Sequence, residues 1–273
     1  MGVENVMVPF VLESKYGGFK SMVANVSMRT NLDADTKGIS MSRLIRTLKK
    51  YLDLPLKKEL IRGILLDLMH NVGSTRSYMS FDFQLPITRS SALSENHFPI
   101  FHKSRFEGQL IQHESKDPGK DALEFRFFQG VIVQYASYCP CSAELCKDLF
   151  AKGSVGFPHA QRSFAHIITE KDMIQENNYV WLEDIVECVE RAIKTLPYPI
   201  IKREDEQEIA RIAGENPIFV EDAIRSISDQ LDALPGVRDW IVKSIHEESI
   251  HTSEAIAVNY KGVEGGFDYH YFL

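Results

Sequence analysis

No apolar run in this 273-residue chain approaches the roughly 18 to 20 residues that a helical membrane span needs, so no such span is expected. The opening stretch, MGVENVMVPFVLESKYGG, has an early Glu and no basic region leading into an apolar one, so no secretory signal is expected. Val6 stands where the myristoylation pattern needs Ser or Thr. Cysteine is scarce, at four residues, and three of them (Cys139, Cys141, Cys146) fall within one short segment. That usage excludes a disulfide scaffold and points to a reducing cytoplasm, with thiols free for chemistry or metal. Excess positive charge is also missing. The net charge of −7 argues against extended nucleic-acid binding, although a local basic cluster can still hold one polyphosphate.

What remains is the composition of a soluble globular protein, 44% apolar and 25% charged. The length suits one large domain or two of about 130 residues. FKSMVANVSMRTNL, RSYMSFDFQLPIT and RFEGQLIQHESK read as strands, and MSRLIRTLKKYLDL and LKKELIRGILLDLMHNVG as helices. The polar turn Lys116 to Ala122 closes this half. In the second half, ALEFRFFQGVIVQYAS and RSFAHIITEK read as strands, WLEDIVECVERAIKTL and NPIFVEDAIRSISDQLDAL as helices, and VRDWIVKSIHEES with SEAIAVNYKG as closing strands. The repeated order predicts an α+β fold of two tandem units, residues 1–120 and 121–273, each with helices on one face of an antiparallel sheet. Ser40 and Ser142 each lie just before a helical run, where a Ser can cap the first turn.

The chemistry centres on Cys139-Pro140-Cys141. Cysteine is often a small buried hydrophobe, so a structural pair is one reading. A redox pair is disfavoured because its usual spacing is Cys-x-x-Cys. A nucleophile or a metal ligand fits a thiolate near a helix N-terminus. Further donors exist in His159, Glu206, Glu221, His246, Glu247, Glu248 and His251. Thiolate, imidazole and carboxylates together suit zinc or ferrous iron, and manganese less well. No Cys-x-x-Cys or His-Glu-x-x-His pattern ties these donors together, and KREDEQEIARIAGE reads equally as a solvated helix face. In a continuous strand His246 and Glu248 share one face and Glu247 the other; Glu248 and His251 reach one pocket only if the strand ends or bulges between them.

CPCS at 139–142, PHAQRS at 158–163, KREDEQ at 202–207, GENPIFVEDA at 214–223 and EESIHTSEAIA at 247–257, in this order, resemble the type IB GTP cyclohydrolases, and GISMSRL at 38–44 fits their N-terminal pattern. The resemblance implies the tunnelling fold, two tandem units of sheet and helix pair, assembled as a homo-oligomer, typically a tetramer. It implies opening of GTP at C8 of the purine, with release of formate and formation of 7,8-dihydroneopterin triphosphate, the entry to folate, related pterins or modified tRNA bases. By motif it implies a divalent metal (zinc, ferrous iron or manganese) held by Cys139, His159, Glu206 and Glu248, with Cys139 preferred over Cys141. It also implies Glu221 as the guanine anchor, His251 as the proton-transfer group, and Arg162, Lys202 and Arg203 as contacts for the triphosphate. The chain departs from the family where it has Ala160 after His159, Ser253 two residues after His251, and a longer Cys-to-His segment. Two rivals share the fold. A nitrile reductase acting on a deazaguanine with NADPH would use the Cys as a covalent nucleophile, but its Glu-Ser-Lys-x-x-Lys strand motif is only partly imitated at Glu13 and Glu114. A non-catalytic nucleotide- or metal-binding oligomer is the other.

Overall fold

A computed structural model describes residues 1–35, 37–113, 122–149, 158–174 and 178–272. Apart from Ala122, the turn expected at Lys116 to Ala122 lies outside the described residues, as does the division expected at residue 120. The strands are β1 (Gly2–Glu13), β2 (Phe19–Thr30), β3 (Arg76–Ser90), β4 (His97–His113), β5 (Ala122–Tyr138), β6 (Ala160–Lys171), β7 (Val237–Glu247) and β8 (Ala255–Tyr260). The helices are α1 (Met41–Lys49), α2 (Lys58–Val72), α3 (Pro140–Leu149), α4 (Leu182–Ala192), α5 (Arg203–Glu215) and α6 (Val220–Asp232), followed by a short 3-10 turn at Tyr269–Phe272. Sheet order follows chain order from β1 to β8. The registers of β1 with β2, β2 with β3, β6 with β7 and β7 with β8 are antiparallel. No helix among the described residues is long and apolar enough to cross a membrane.

The chain forms two compact units, residues 1–84 with 104–129 and residues 85–103 with 130–273. In the first, strand alternation buries Ala24, Val26 and Met28 of β2, while α2 buries Ile61, Ile64, Leu65 and Leu68 at helical spacing. Phe10, Phe83, Phe106 and Phe127 form a chain of ring contacts with centroids 5.1, 5.4 and 5.4 Å apart. The small Ala24, paired with Val8 on one side and Phe83 on the other, leaves room for Phe10 to reach Phe83 edge-on. Gly108 is required for space, because a Cβ there would run into Ile61 of α2.

In the second unit α4 buries Ile185, Val186 and Val189, and α6 buries Ala223, Ile224, Ile227 and Leu231, with Ile241 and Val242 of β7 also in the core. The first turn of α5 is fixed by Asp205. Its carboxylate accepts hydrogen bonds from the backbone N–H of Leu93 (2.8 Å), Ser94 (2.9 Å) and Lys202 (2.7 Å), and from the Ser94 hydroxyl. Burial opposes its charge, but these four donors outweigh burial and hold the carboxyl well below the usual carboxylate range. Neither serine expected as a cap makes a capping bond. Ser40 occupies the N-cap position of α1 without one, and its hydroxyl meets Ser42 instead. Ser142 lies inside α3, because that helix begins at Pro140, and its hydroxyl accepts from the His159 backbone N–H.

His102 is 5% exposed, and burial pushes its pKa down to about 4, with the Arg89 charge acting in the same sense and a hydrogen bond with the Ile132 backbone opposing it. Above pH 6.5 the imidazole is neutral whether folded or not. Below that value the unfolded chain takes up the proton first, so stability falls as pH drops towards 4. The expected loss from this group is about 2 kcal/mol at pH 5 relative to pH 7. Urea midpoints of the native chain and of His102→Gln at the two pH values check this: the variant should show the shallower slope.

Candidate functional site

β5 ends at Tyr138, and the chain turns at once into α3 through Pro140. Proline suits the first helical position, where an N–H would have no intrahelical partner. Cys139 is the capping residue, its carbonyl accepting from Ala143 N–H at 3.1 Å. Its side chain therefore stands at the helix end that stabilises anions. Two backbone bonds bring other segments to this point. Cys139 N–H donates to the His159 carbonyl at 3.2 Å, and Ile218 N–H donates to the Tyr138 carbonyl at 2.9 Å, which sets the start of α6 beside the end of β5.

The result is a cavity of about 490 Å³ in the second unit. Cys139, Cys141, His159, Glu221, His246, Glu248 and His251 line it together with Ser142 and Gln161, and Ile218, Phe219 and Ile250 form apolar walls. Cys139 is half-buried and Cys141 exposed. His159 Nδ1 lies 4.0 Å from Glu248 Oε2 and 3.3 Å from the Ser249 hydroxyl. Glu221 sits in the first turn of α6. β7 ends at Glu247, so Glu248 and His251 leave strand geometry and line the same cavity, as the strand-face argument required. The arrangement combines apolar walls, a carboxylate on a helix start, and thiol, imidazole and carboxylate donors.

Of the residues expected from sequence, Cys139, His159, Glu221, Glu248 and His251 are brought together. Glu206, Lys202, Arg203 and Arg162 are exposed and do not line this cavity. Glu206 lies on the outer side of the first turn of α5, because the adjacent Asp205 is the residue turned inward to bind the 93–94 loop. Arg162 follows Gln161 on β6, and strand alternation puts Gln161 in the cavity wall and Arg162 on the other face. Residues 150–157 of the longer Cys-to-His segment lie outside the described residues.

His246 is the site residue that the motif reading left out. It is 2% exposed, lines the cavity, and has Nε2 at 3.0 Å from the Tyr135 hydroxyl. Burial pushes its pKa down to about 4 against the upward pull of Glu248 and Glu221, and burial pushes the Tyr135 phenol up to about 12. Both groups are therefore neutral near pH 7, and their hydrogen bond fixes the imidazole in the cavity wall. The signal for His246 was present in sequence, since period two puts it on the face of Glu248. Gln161 is a second addition, its Oε1 accepting from Ser137 at 2.6 Å.

The donor types fit a transition ion of borderline softness. Among the described residues, however, no three Cys, His, Asp or Glu side chains already stand close enough together to hold one. His159 and Glu248 approach to 4.0 Å in the cavity wall.

The family model described as "Type I GTP cyclohydrolase folE2" matches residues 1–257. The chain is similar to a GTP cyclohydrolase FolE2 of Roseobacter denitrificans, 32% identical over 96% of this chain and 68% of that protein. It is also similar to one of Paracoccus denitrificans, 30% identical over 96% of this chain and 78% of that protein. Among solved structures, urate oxidase of Bacillus sp. TB-90 superposes with a TM-score of 0.60 at 10% identity, over 95% of this chain and 98% of that one. Uricase of Arthrobacter globiformis gives 0.59 at 6% identity, over 100% and 96%. At such identities these two likenesses speak for the fold alone, the α+β tunnelling fold.

Proposed function

The chain belongs to the type I GTP cyclohydrolase FolE2 family, and from that premise and the cavity of the second unit we propose how it opens GTP at C8 of the purine. It is a GTP cyclohydrolase, and within that activity the assignment is to type IB. The overall change consumes water, releases formate and leaves 7,8-dihydroneopterin triphosphate. The observation that carries the site assignment is that five residues spread from position 139 to 251, all expected from motifs, line one cavity.

Glu221 accepts hydrogen bonds from guanine N1–H and the 2-amino group, one to each carboxylate oxygen. Ile218, Phe219 and Ile250 cover the ring and keep bulk water from it. His251 delivers a proton to the ring nitrogen that separates from C8, as an imidazole can in general acid–base chemistry. Cys139, His159 and Glu248 would hold a divalent ion, zinc, ferrous iron or manganese, which would supply Lewis-acid chemistry when bound. Glu206, the fourth residue of the motif set, is exposed on α5 and does not line this cavity, and it is kept as a proposed ligand. The cavity lining includes no Lys or Arg among the described residues, so the triphosphate takes its cations from outside it, with Arg162, Lys202 and Arg203 proposed. A homo-oligomer, proposed as a tetramer, is supported by the edge strand β8, whose outward Ile256, Val258 and Tyr260 present an apolar row.

Purified protein reconstituted with each of the three ions is incubated with GTP, and formate and the fluorescent oxidised pterin are measured. Both products should appear together with at least one ion. Their absence with all three rejects the reading.

A further inference from the structure

The first unit has a cavity of its own, about 410 Å³, where the end of β2, the start of β3 and the end of β4 meet. Its lining brings in two guanidinium groups, Arg29 and Arg76, with Tyr78, Gln109, Asn31 and Thr30, and it contains no carboxylate among the described residues. Nothing in the GTP-opening chemistry uses these groups.

The backbone under Arg76 is held firmly. α2 closes at Gly73 in the left-handed region, at φ 75°. The Asn31 side-chain carbonyl then accepts from the backbone N–H of Thr75 (3.1 Å) and Arg76 (2.7 Å), and its amide donates to the Thr75 hydroxyl at 3.0 Å. At the end of this brace the Arg76 guanidinium has no hydrogen bond or ion pair among the described residues. Arg29 lies over the Tyr78 ring at 5.5 Å and, among the described residues, its ion pair is with Glu4, in a bridge whose two side chains are 57% and 53% exposed. Such exposed pairs hold their partners weakly and exchange readily for a better anion. Thr30 is 4% exposed, yet its Oγ1 is buried without a hydrogen-bond partner. A buried hydroxyl of that kind marks a place where a group is owed a partner. Burial, and then the nearby Glu107, raise the Tyr78 phenol to about 12, so its hydroxyl stays neutral, and both it and the Gln109 amide (3.0 Å) are bonded to the Glu107 carboxylate, leaving the two guanidinium groups as the donors to a ligand.

We propose that this cavity is a second ligand site, in which Arg29 and Arg76 hold the phosphate group of a small phosphate ester. Guanidinium groups present paired N–H donors that match phosphate oxygens. The volume lies within the span of about 300 to 1,000 Å³ typical of small-molecule sites, more than a bare phosphate fills.

The test uses the full chain and its Arg76→Gln and Arg29→Gln variants, titrated calorimetrically at low ionic strength with ribose 5-phosphate and with inorganic phosphate. GTP turnover in phosphate-free buffer and the size of the assembly are measured alongside, and a thermal scan confirms that each variant is folded. The native chain should bind ribose 5-phosphate more tightly than inorganic phosphate. Arg76→Gln should weaken both about tenfold or more, which corresponds to about 1.4 kcal/mol. Turnover and assembly size should not change. Equal binding by native and variant chains overturns the proposal. Loss of GTP turnover together with phosphate binding also overturns it, by making these arginines part of the substrate site, and a change in assembly size does so by making the cavity an interface between copies. None of these outcomes touches the reading of the second-unit cavity, which the formate assay tests separately.

Discussion

Cys139→Ala is expected to purify with less than a tenth of the native metal content and to turn over GTP about 1,000-fold more slowly, which corresponds to about 4 kcal/mol of lost transition-state stabilisation. The reasoning starts from the helix. Cys139 is the capping residue of α3 and is half-buried, and its backbone N–H is bonded to the His159 carbonyl at 3.2 Å, which ties the helix start to the segment that carries the imidazole. Cys141 lies within the first turn and is exposed. Both sulfurs line the cavity, but only Cys139 is fixed to the segment that carries His159. Cys141→Ala should therefore keep its metal and most of its turnover. Metal analysis and formate release on the two variants separate the sulfurs, with thermal scans confirming that both fold. A fully active Cys139→Ala chain would discard it as a ligand, and loss of metal from Cys141→Ala alone would exchange the two roles.

Asp239→Ala is expected to destabilise the chain by about 3 to 5 kcal/mol. Asp239 is fully buried at the start of β7 and serves three backbone donors. Its Oδ1 accepts from Trp240 N–H at 2.9 Å and Gly262 N–H at 3.0 Å, and its Oδ2 accepts from Phe267 N–H at 2.6 Å. The last two bonds tie the segment after β8 to the strand. Gly266 belongs to the same arrangement, because a Cβ there would collide with the carboxylate. Alanine removes the carboxylate that accepts from all three N–H groups, two of them on the buried Trp240 and Phe267, and leaves a void where it was. Asp239→Asn should cost less, since one side-chain oxygen remains to accept. Urea midpoints measure both. GTP turnover per folded molecule should survive in each, because the site lies at the other end of β7, where His246 and Glu248 stand. A change under 1 kcal/mol for the alanine variant would show that water takes over the carboxylate's bonds.

The elements that could be read from sequence were those with an unbroken period. Ile61, Ile64, Leu65 and Leu68 of α2, and Ala223, Ile224, Ile227 and Leu231 of α6, recur at helical spacing and are the buried faces of those helices. β1 was not legible. Its register shifts between Val3 and Val6, Asn5 adopts φ 59°, and Pro9 lacks an N–H, so the alternation that marks a strand is interrupted twice. Ser40 and Ser142 misled as caps because a hydroxyl finds whichever partner folding brings nearest, and for Ser142 that partner is the His159 backbone, 17 residues away.

The candidate site divides along the same line. Sequence by itself determined the kinds of donor available, the family to which their motifs belong, and the alternation that puts His246 on the face of Glu248. Those are properties of residue type and near-neighbour spacing. Tertiary structure decided which donors meet. It gathers Cys139, His159, Glu221, Glu248 and His251 where α3, α6 and the ends of β5 and β7 come together, and it adds His246 through Tyr135. It also turns Asp205 inward at the first turn of α5 and leaves Glu206 in solvent. The physical reason is that a ligand set depends on distances between side chains carried by different elements, and those distances follow from how strand ends and helix starts pack.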